Sequence, residues 1–382
     1  MGVGHGAVAN LGVTLDRGFW SGRRVLLTGH SGFKGAWMAL WLQSLGARLT
    51  GFGGAAPSEP SLYALARAYE GVEEIEGDVR DPRAVDSALA ACRPEVVIHM
   101  AAQSLVRRSL AEPRETYETN VMGTVNVLDA IRRSHGVRAV VIVTSDKCYE
   151  NRAGREIVTP RSSSAAHAFR EDDSMGGDDP YSSSKGAAEL VTAAYRRSFF
   201  TADDAARVAS ARAGNVIGGG DWARDRLVPD IMRAAMSGAS VRLRNPQAVR
   251  PWQHVLNPLS GYLLLAQALW GSSAYARAWN LGPAQQDART VGWVAARLAE
   301  LWPGGIAYEH DDHVHAHEAQ YLTLDSTSAH RELGWRAPIE LERALEATVE
   351  WYRGLSEGAD LRALTLAQVE LASSHLYRTR PR

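Results

Sequence analysis

Short apolar segments alternate with longer amphipathic segments over residues 25–143, and this alternation constrains the fold more than any other feature. Six segments have the length and composition of buried strands: five along this region, 24–28, 48–52, 72–75, 94–99 and 139–143, and a sixth after it, 206–212. Strands that alternate with helices predict a parallel, doubly wound α/β sheet, because each crossover helix covers one face of the sheet. After residue 224 the alternation becomes irregular, which indicates a smaller, mixed α/β C-terminal lobe.

The first predicted strand runs directly into a glycine-rich turn and then into an apolar helix. The glycines stand three residues apart, at Gly29, Gly32 and Gly35. Such a turn brings backbone N–H groups to a helix N-terminus, where they bind a pyrophosphate. The sequence therefore predicts a Rossmann-type dinucleotide site, whose turn residues are Gly29, Ser31, Gly32, Phe33, Lys34 and Gly35.

Other candidate cofactor residues follow the next strands along the chain. Asp78 either accepts from an adenine amino group or caps the helix that begins near Asp81. The cofactor set is completed by Val79, Ala101, Ala102 and Asn120. The second strand ends at Gly53 without the acid that usually binds the ribose of NAD, so NAD is expected but NADP stays open.

Candidate catalytic residues stand at the end of the fifth strand and at the start of the next helix. Ser145, Asp146 and Lys147 follow that strand, and Tyr181 and Lys185 lie one helical turn apart. The carboxyl ends of parallel strands face one crevice, so the two groups are expected to converge there. An ammonium beside a phenol favours the phenolate, which predicts a lowered pKa for Tyr181.

The C-terminal half mixes arginine with tryptophan, a combination that suits the phosphates and the sugar of a nucleotide. We assign residues 1–18 to a leader, residues 19–213 to the dinucleotide domain and residues 214–382 mainly to a substrate lobe. Interleaving of this lobe with the dinucleotide domain stays open. Candidate substrate residues are Gln103, Asn215, Arg226, Arg244, Arg250 and His254.

Composition excludes several classes of function. The formal net charge of -1 argues against binding driven by bulk charge to nucleic acid or to a membrane. Two cysteines in 382 residues fit a reducing cytoplasm, and no apolar run approaches a spanning length. No metal site is expected, because the histidines at 310–317 stand in a polar loop without cysteines. Residues 152–167 lack periodicity and predict a surface excursion.

Seven sequence motifs together resemble the extended short-chain dehydrogenase/reductase superfamily and, within it, the nucleotide-sugar 4,6-dehydratases. The resemblance covers nearly all of residues 19–355. Its most specific motifs are Thr-Ser-Asp-Lys-Cys-Tyr-Glu at 144–150 and Arg-Pro-Trp-Gln-His at 250–254. The remaining five are the segments 28–35, 99–103, 119–124, 180–185 and 213–222.

The resemblance implies a mechanism, a nucleotide-sugar substrate and a homodimer through the helices 117–133 and 181–200. Tyr181 would take the C4 hydroxyl proton, Lys185 would hold the ribose of bound NAD, and Ser145 would bond the C4 oxygen. Asp146 would protonate the leaving C6 hydroxyl, and Lys147 would be the base at C5. Tyr181 and Lys185 alone would also serve an epimerase or a ketoreductase, and a non-catalytic NAD-binding protein is a third reading.

Overall fold

The computed structural model of the chain describes residues 13–151, 168–310 and 322–377. The predicted excursion at 152–167 lies outside these described residues. So do His313, His315 and His317 and the side chain of His310, the histidine group that the sequence assigns to a polar loop.

Seven parallel strands of the described ranges form the central sheet, as the alternation of strands and helices predicts. The strands of the chain are β1 (Arg24–Thr28), β2 (Arg48–Gly53), β3 (Val72–Glu76), β4 (Val96–His99), β5 (Ala139–Val143), β6 (Arg207–Arg212), β7 (Val216–Ile217), β8 (Val241–Leu243), β9 (Val249–Pro251), β10 (Gln253–His254), β11 (Ala278–Asn280), β12 (Ala288–Thr290) and β13 (Tyr308–His310). The sheet order is β3-β2-β1-β4-β5-β6-β11, with every neighbouring pair parallel. The order reverses between β1 and β4, where sheets of this kind bind ligands.

Helices cover both faces of this sheet. The α-helices are α1 (Arg17–Trp20), α2 (Phe33–Ser44), α3 (Leu62–Leu65), α4 (Pro82–Cys92), α5 (Val106–Ala111), α6 (Pro113–Tyr117), α7 (Gly123–Arg133), α8 (Pro180–Phe199), α9 (Leu227–Ser237), α10 (Leu256–Gly271), α11 (Val291–Leu301), α12 (Leu341–Ser356) and α13 (Leu361–Ser374). One face carries α4, α7 and α8, and the other carries α2 and α10. Helix α2 is apolar around its circumference because α13 packs on its far side, so Trp37 and Trp41 are both fully buried.

A smaller lobe stands over the carboxyl ends of the strands. It contains three two-stranded pairings, of β7 with β10, β9 with β12 and β8 with β13, together with α9, α11 and α12. The chain does not stay in this lobe after residue 214. Helix α10 packs on β5 and β6, and β11 adds the seventh strand to the central sheet. A single boundary at residue 213 therefore does not separate the central-sheet domain from the smaller lobe.

The folded chain begins earlier than the predicted leader allows. Leu15 is buried, and its N–H donates to the carbonyl of Leu376, while the N–H of Val13 donates to the carbonyl of Leu333. Residues 13–18 therefore pack against the C-terminal part of the chain. No helix within the described ranges is long and apolar enough to cross a membrane.

Candidate active site

A cavity of about 1570 Å³ opens between the carboxyl ends of β1, β4, β5 and β6 and the smaller lobe. Single-ligand pockets typically measure about 300–1,000 Å³, so this cavity has room for a dinucleotide and a second large ligand. Every catalytic residue predicted from the sequence lines it, as do all the predicted cofactor and substrate residues except Asn120 and His254.

The glycine turn after β1 forms a cradle that fits the pyrophosphate of a dinucleotide. Gly29 has a positive φ of 71°, and a Cβ there would lie 2.8 Å from the backbone of Ala101. A Cβ on Gly35 would lie 2.0 Å from the carbonyl oxygen of Gly29, so the helix can pack this close to the turn only with glycine. No described side chain caps the N-terminus of α2. Its first N–H groups therefore face the cavity and can bind an anion.

The end of β5 carries a serine and an aspartate in contact with each other. The Ser145 hydroxyl donates to Oδ1 of Asp146 over 3.0 Å and accepts from the N–H of Lys147 over 3.2 Å. Asp146 is 1% exposed, and its Oδ2 has no hydrogen-bond partner among the described residues. Burial raises the pKa of Asp146, although the Lys147 ammonium opposes this shift. A raised pKa favours the protonated carboxyl, which can donate its proton to a leaving group.

Tyr181 lies in the first turn of α8, buried against the same strand end. Burial raises the pKa of Tyr181 to about 12, and a hydrogen bond with Ser145 opposes the rise. The predicted lowering of this pKa by Lys185 is therefore wrong for the protein without ligands, because the desolvation of the phenolate dominates. Asp179 caps this helix by accepting from the N–H of Ser182, which fixes the direction in which α8 leaves the loop.

Lys185 follows one turn after Tyr181 on α8, and its ammonium donates to the carbonyl of Val143 over 3.3 Å. Burial lowers the pKa of Lys185 to about 8, while the nearby Glu189 carboxylate raises it. Lys185 thus bridges α8 to the last residue of β5, and it lines the same part of the cavity as Ser145.

Lys34 reaches the catalytic end of the cavity, which its place in the glycine turn did not predict. Burial, together with the charges of Lys185 and Arg226, lowers the pKa of Lys34 to about 7. Its side-chain nitrogen donates to the hydroxyl of Tyr262 on α10 over 3.1 Å. The chain contains three lysines, Lys34, Lys147 and Lys185, and all of them line this cavity.

Arginines dominate the wall that the smaller lobe contributes. Arg226 binds the carboxylate of Asp221 over 3.1 Å and the hydroxyl of Ser104 over 3.1 Å. Arg244 lies 3.4 Å from the carboxylate of Asp225, and Arg250 is 8% exposed. Cationic forks at this position suit the phosphates of a nucleotide sugar. Ser104 and Asp221 are contacts that the sequence alone did not suggest.

Asn120 is held away from the cavity and instead fixes a residue that lines it. Its side chain accepts from the N–H of Gln103 and donates to the carbonyl of Gln103, each over 2.9 Å, and it donates to Ser184 over 2.8 Å. The predicted continuous helix 117–133 is interrupted here by a π-helical turn at Glu118–Met122. The prediction that Asn120 binds the cofactor is therefore wrong, because its side chain is buried and does not line the cavity. Asn120 supports Gln103 instead.

His254 is also wrongly predicted as a substrate ligand. The ring is fully buried, its Nδ1 accepts from the N–H of Leu256 over 3.3 Å, and its edge packs on Trp37 with the centroids 5.7 Å apart. Burial lowers the pKa of His254 to about 3, so the ring is neutral. Gln253 and His254 are both buried, so β10 has packed protein on its two faces and the His254 side chain belongs to the core.

At the end of the cavity that follows β2 and β3, Asp78 is bound by Arg80. Its carboxylate accepts from the backbone N–H and from Nε of Arg80, each over 2.8 Å, and this contact lowers the pKa of Asp78. Asp81, not Asp78, caps α4. Within the described ranges, no cluster of three or more histidine, cysteine or acidic side chains could hold a metal ion.

Comparison with known proteins identifies the family. Residues 26–348 match the family model described as GDP-mannose 4,6 dehydratase. The chain is 45% identical over 352 residues to the CDP-glucose 4,6-dehydratase of Salmonella typhimurium, covering 91% of this chain and 95% of that protein. It is 30% identical over 260 residues to the dTDP-glucose 4,6-dehydratase of Streptomyces griseus, covering 67% of this chain and 71% of that protein.

Solved structures share the fold at low sequence identity. The dTDP-glucose 4,6-dehydratase DesIV of Streptomyces venezuelae, solved with NAD, superposes with a TM-score of 0.72 at 24% identity and covers 88% of this chain and 98% of that one. The UDP-glucose-4-epimerase of Stenotrophomonas maltophila, also with NAD, gives 0.74 at 21% identity, covering 88% and 100%. The chain therefore belongs to the GDP-mannose 4,6-dehydratase family, among the NAD-dependent nucleotide-sugar dehydratases and epimerases of the extended short-chain dehydrogenase/reductase superfamily.

Proposed function

We propose that this protein converts CDP-glucose to CDP-4-keto-6-deoxyglucose with the loss of one water. The observation that carries the proposal is the buried Asp146, whose raised pKa places a proton donor next to Ser145 and Tyr181. An epimerase has no leaving group to protonate, so it has no use for such an acid. The 45% identity to a CDP-glucose 4,6-dehydratase supports the choice of nucleotide.

The first half of the reaction is an oxidation at C4 of the sugar. NAD, held by the glycine turn after β1, would supply hydride-transfer chemistry for C4 and C6 and the positive charge of its oxidised ring. A positive charge beside Tyr181 lowers its pKa from the raised value, so the phenolate can accept the C4 hydroxyl proton. Ser145 donates to the C4 oxygen, and the Lys185 ammonium stabilises the phenolate.

The second half is the loss of water across C5 and C6. The C4 ketone acidifies the C5 proton, which Lys147 would remove as a base when its side chain is the neutral amine. Asp146 gives its proton to the C6 hydroxyl, which leaves as water, and a C5–C6 double bond forms. Reduction at C6 and return of the proton from Lys147 to C5 form the product, and transfer of a proton from Tyr181 to Asp146 restores the starting protonation states, so no cofactor is consumed.

The site favours NAD over NADP. The cavity end that follows β2 and β3 presents the acids Glu59, Glu76 and Asp78, and its arginine, Arg80, is bound to Asp78. A 2′-phosphate would therefore meet negative charge without a free cationic partner there. Lys34 is not such a partner, because its amine lies at the catalytic end beside Tyr262.

The substrate is expected to lie across the opening to the smaller lobe. Arg226, Arg244 and Arg250 would bind its two phosphates, and Gln103 and Asn215 would bond the sugar hydroxyls. Asn120 fixes the backbone of Gln103, and the Gln103 amide donates to Thr116 over 2.9 Å and to the carbonyl of Leu105 over 3.1 Å. The bond to a sugar hydroxyl would therefore be accepted by its Oε1, which also accepts from the N–H of Leu105.

A panel of nucleotide sugars tests the proposed function. Purified protein with NAD is incubated separately with CDP-glucose, dTDP-glucose, UDP-glucose and GDP-mannose, and the products are identified by mass and by NMR. We expect a 4-keto-6-deoxy product, lighter by one water, from CDP-glucose at the highest kcat/KM. A product of unchanged mass with inverted C4 would establish an epimerase instead, and preference for another nucleotide would overturn the CDP assignment.

We further propose a homodimer through α7 and α8. Large apolar side chains are exposed on this pair of helices and on the turns that lead into it, among them Tyr117, Met122, Leu190 and Phe199. Leu190 is 62% exposed, which is unusual for a leucine in the middle of a 20-residue helix. A second copy of the same helix pair would cover these side chains.

A further inference from the structure

A buried ion pair stands directly behind the catalytic end of the sheet, and the mechanism above uses neither member. Glu189 on α8 and Arg212 at the end of β6 approach within 2.8 Å, and each side chain is 4% exposed. Burying two charges costs several kcal/mol per ion before their attraction compensates, so such a pair is poor evidence for added stability. Its position indicates a functional role instead.

Glu189 bonds directly to the strand end that carries the catalytic residues. One carboxylate oxygen accepts from the hydroxyl of Thr144 over 2.5 Å, and Thr144 immediately precedes Ser145 and Asp146. The other oxygen accepts from Ser210 over 2.7 Å and from Arg212 over 2.8 Å. Both oxygens of the Glu189 carboxylate thus accept hydrogen bonds, which fix the position of the side chain.

Glu189 also lies one helical turn after Lys185, so the two side chains share a face of α8. Other titratable groups around Lys185 are Tyr181 on the same face of α8, Lys34 from α2, His99 from β4 and Cys148 from the turn after β5. In the protein without ligands, burial raises the pKa of Tyr181 to about 12, so it adds no anion there. His99 is neutral because burial lowers its pKa to about 3, and burial raises the pKa of the Cys148 thiol. Glu189 is therefore the anion that faces the Lys185 ammonium in this group.

Arg212 keeps that anion ionised. Its charge and its hydrogen bond hold the pKa of Glu189 below the ordinary value in spite of complete burial. Arg212 is itself fixed by the hydroxyl of Tyr149 over 2.6 Å, and Tyr149 donates to Asn280 on β11 over 2.7 Å. The charge behind Lys185 is thereby anchored to three strands of the sheet.

We propose that Glu189 is a positioning residue for the reaction: its carboxylate keeps Lys185 protonated near neutral pH and fixes Thr144, and with it Ser145 and Asp146. Arg212 acts through Glu189. The inference rests on the proposed function for the reaction it serves. The protonation of Lys185 can nevertheless be measured without any substrate.

The test is Glu189→Gln, which removes the charge and keeps the shape. Because the chain has three lysines, protein labelled with ¹³C at the lysine ε-carbon gives three resonances, which Lys34→Met and Lys147→Met assign. In the NAD-saturated protein, we expect the Lys185 resonance of Glu189→Gln to titrate about one pH unit lower than in the parent. The alkaline limb of the kcat–pH profile on CDP-glucose should move in the same direction by a similar amount.

Ser210→Ala is the matched control, since it removes a hydrogen bond to Glu189 but no charge. It should leave the Lys185 titration unchanged. If Glu189→Gln does not fold, the double variant Glu189→Leu with Arg212→Met replaces both charges by apolar groups. It should shift the Lys185 titration in the same direction but by less, because the opposing charge of Arg212 is removed as well. An unshifted Lys185 titration in either variant overturns the inference, even where activity falls. A shifted titration without turnover of CDP-glucose instead refutes the proposed function alone.

Discussion

At the scale of single residues, burial sets the protonation states on which the chemistry depends. Burial raises the pKa values of Asp146 and Tyr181 and lowers those of Lys34 and Lys185. All four shifts favour neutral side chains, as expected where the charged form loses its hydration. The acid that we propose for the elimination, Asp146, is therefore prepared by the fold. The base that we propose for the oxidation, Tyr181, requires a positive charge to arrive with the ligands.

Asp146→Asn separates the two halves of the reaction. The amide keeps the size of the side chain but cannot give a proton to the C6 hydroxyl, so elimination should slow by about 10²–10⁴-fold. Oxidation at C4 should continue, and the near-ultraviolet absorbance of NADH should rise during a single turnover. If the variant gave neither an NADH signal nor product, Asp146 would act in the oxidation instead. The matched variant Thr144→Ser keeps the hydroxyl that bonds Glu189 and should form product.

Lys34→Met should stabilise the protein, and the gain should depend on pH. The pKa of Lys34 falls from 10.5 in the unfolded chain to about 7 in the folded protein. Between these values the unfolded state binds the extra proton, so the contribution of Lys34 to stability rises with pH from 7 to 10.5. The advantage of Lys34→Met in urea unfolding should therefore be largest at pH 7 and below and shrink towards pH 10.

A control separates this effect from the hydroxyl that the substitution leaves unpaired. The Tyr262 hydroxyl accepts from the Lys34 side chain within the core, so the double variant Lys34→Met with Tyr262→Phe removes both partners. The same pH dependence should appear in the double variant. A gain that does not vary with pH would contradict a lowered Lys34 pKa.

At the scale of the elements, α8 has two faces with different tasks. Its inner face carries Tyr181, Lys185 and Glu189 at four-residue spacing, and Leu190, on the opposite side of the helix from Tyr181, is exposed on the outer face. One helix can therefore hold the site and the interface together, because residues four apart share a face and neighbours do not.

Leu190→Arg tests the proposed interface. A charge that is buried in a symmetric interface meets its own copy, so the variant should be a monomer at micromolar concentration while the parent is a dimer. Light scattering measures the masses. Leu371→Arg, on the exposed side of α13, is the control and should keep the parent's mass. A parent that is monomeric would refute the interface.

At the scale of the whole molecule, the C-terminal helices hold the wall of the cavity. The Tyr352 hydroxyl on α12 donates to the carbonyl of Asp221 over 2.5 Å, and Trp351 packs against Gly219. The loop 218–226, which presents Asp221 and Arg226, is therefore shaped by residues more than a hundred positions away.

Gly219→Ala should damage this support. The added methyl would lie 2.0 Å from the buried ring of Trp351, and overpacking of this kind costs about 1–3 kcal/mol of unfolding free energy. We expect a lower Tm and a higher KM for the nucleotide sugar, because the loop that carries Arg226 must shift. Gly271→Ala, at the open end of α10, meets no atom within 4 Å and should change neither value.

Much of the fold and of the site follows from local pattern. The strands β1 to β6 lie within two residues of their predicted ends, because buried parallel strands are short apolar runs between helices. The family was also predicted, since its motifs are contiguous in sequence. Glycine spacing marked the cofactor turn, and the carboxyl ends of strands marked where Ser145 and Tyr181 converge.

The remaining features were decided by tertiary contacts. Histidine and asparagine often bind ligands, but His254 packs in the core against Trp37 and Asn120 is hydrogen-bonded to Gln103. Sequence could state that Lys185 follows Tyr181 by one turn, but only the depth of burial determined that the pKa of Tyr181 rises. The sequence by itself determined the order of the elements and the chemical groups available. The tertiary structure decided which of them lose water, and hence which are charged, because desolvation depends on neighbours distant in the chain.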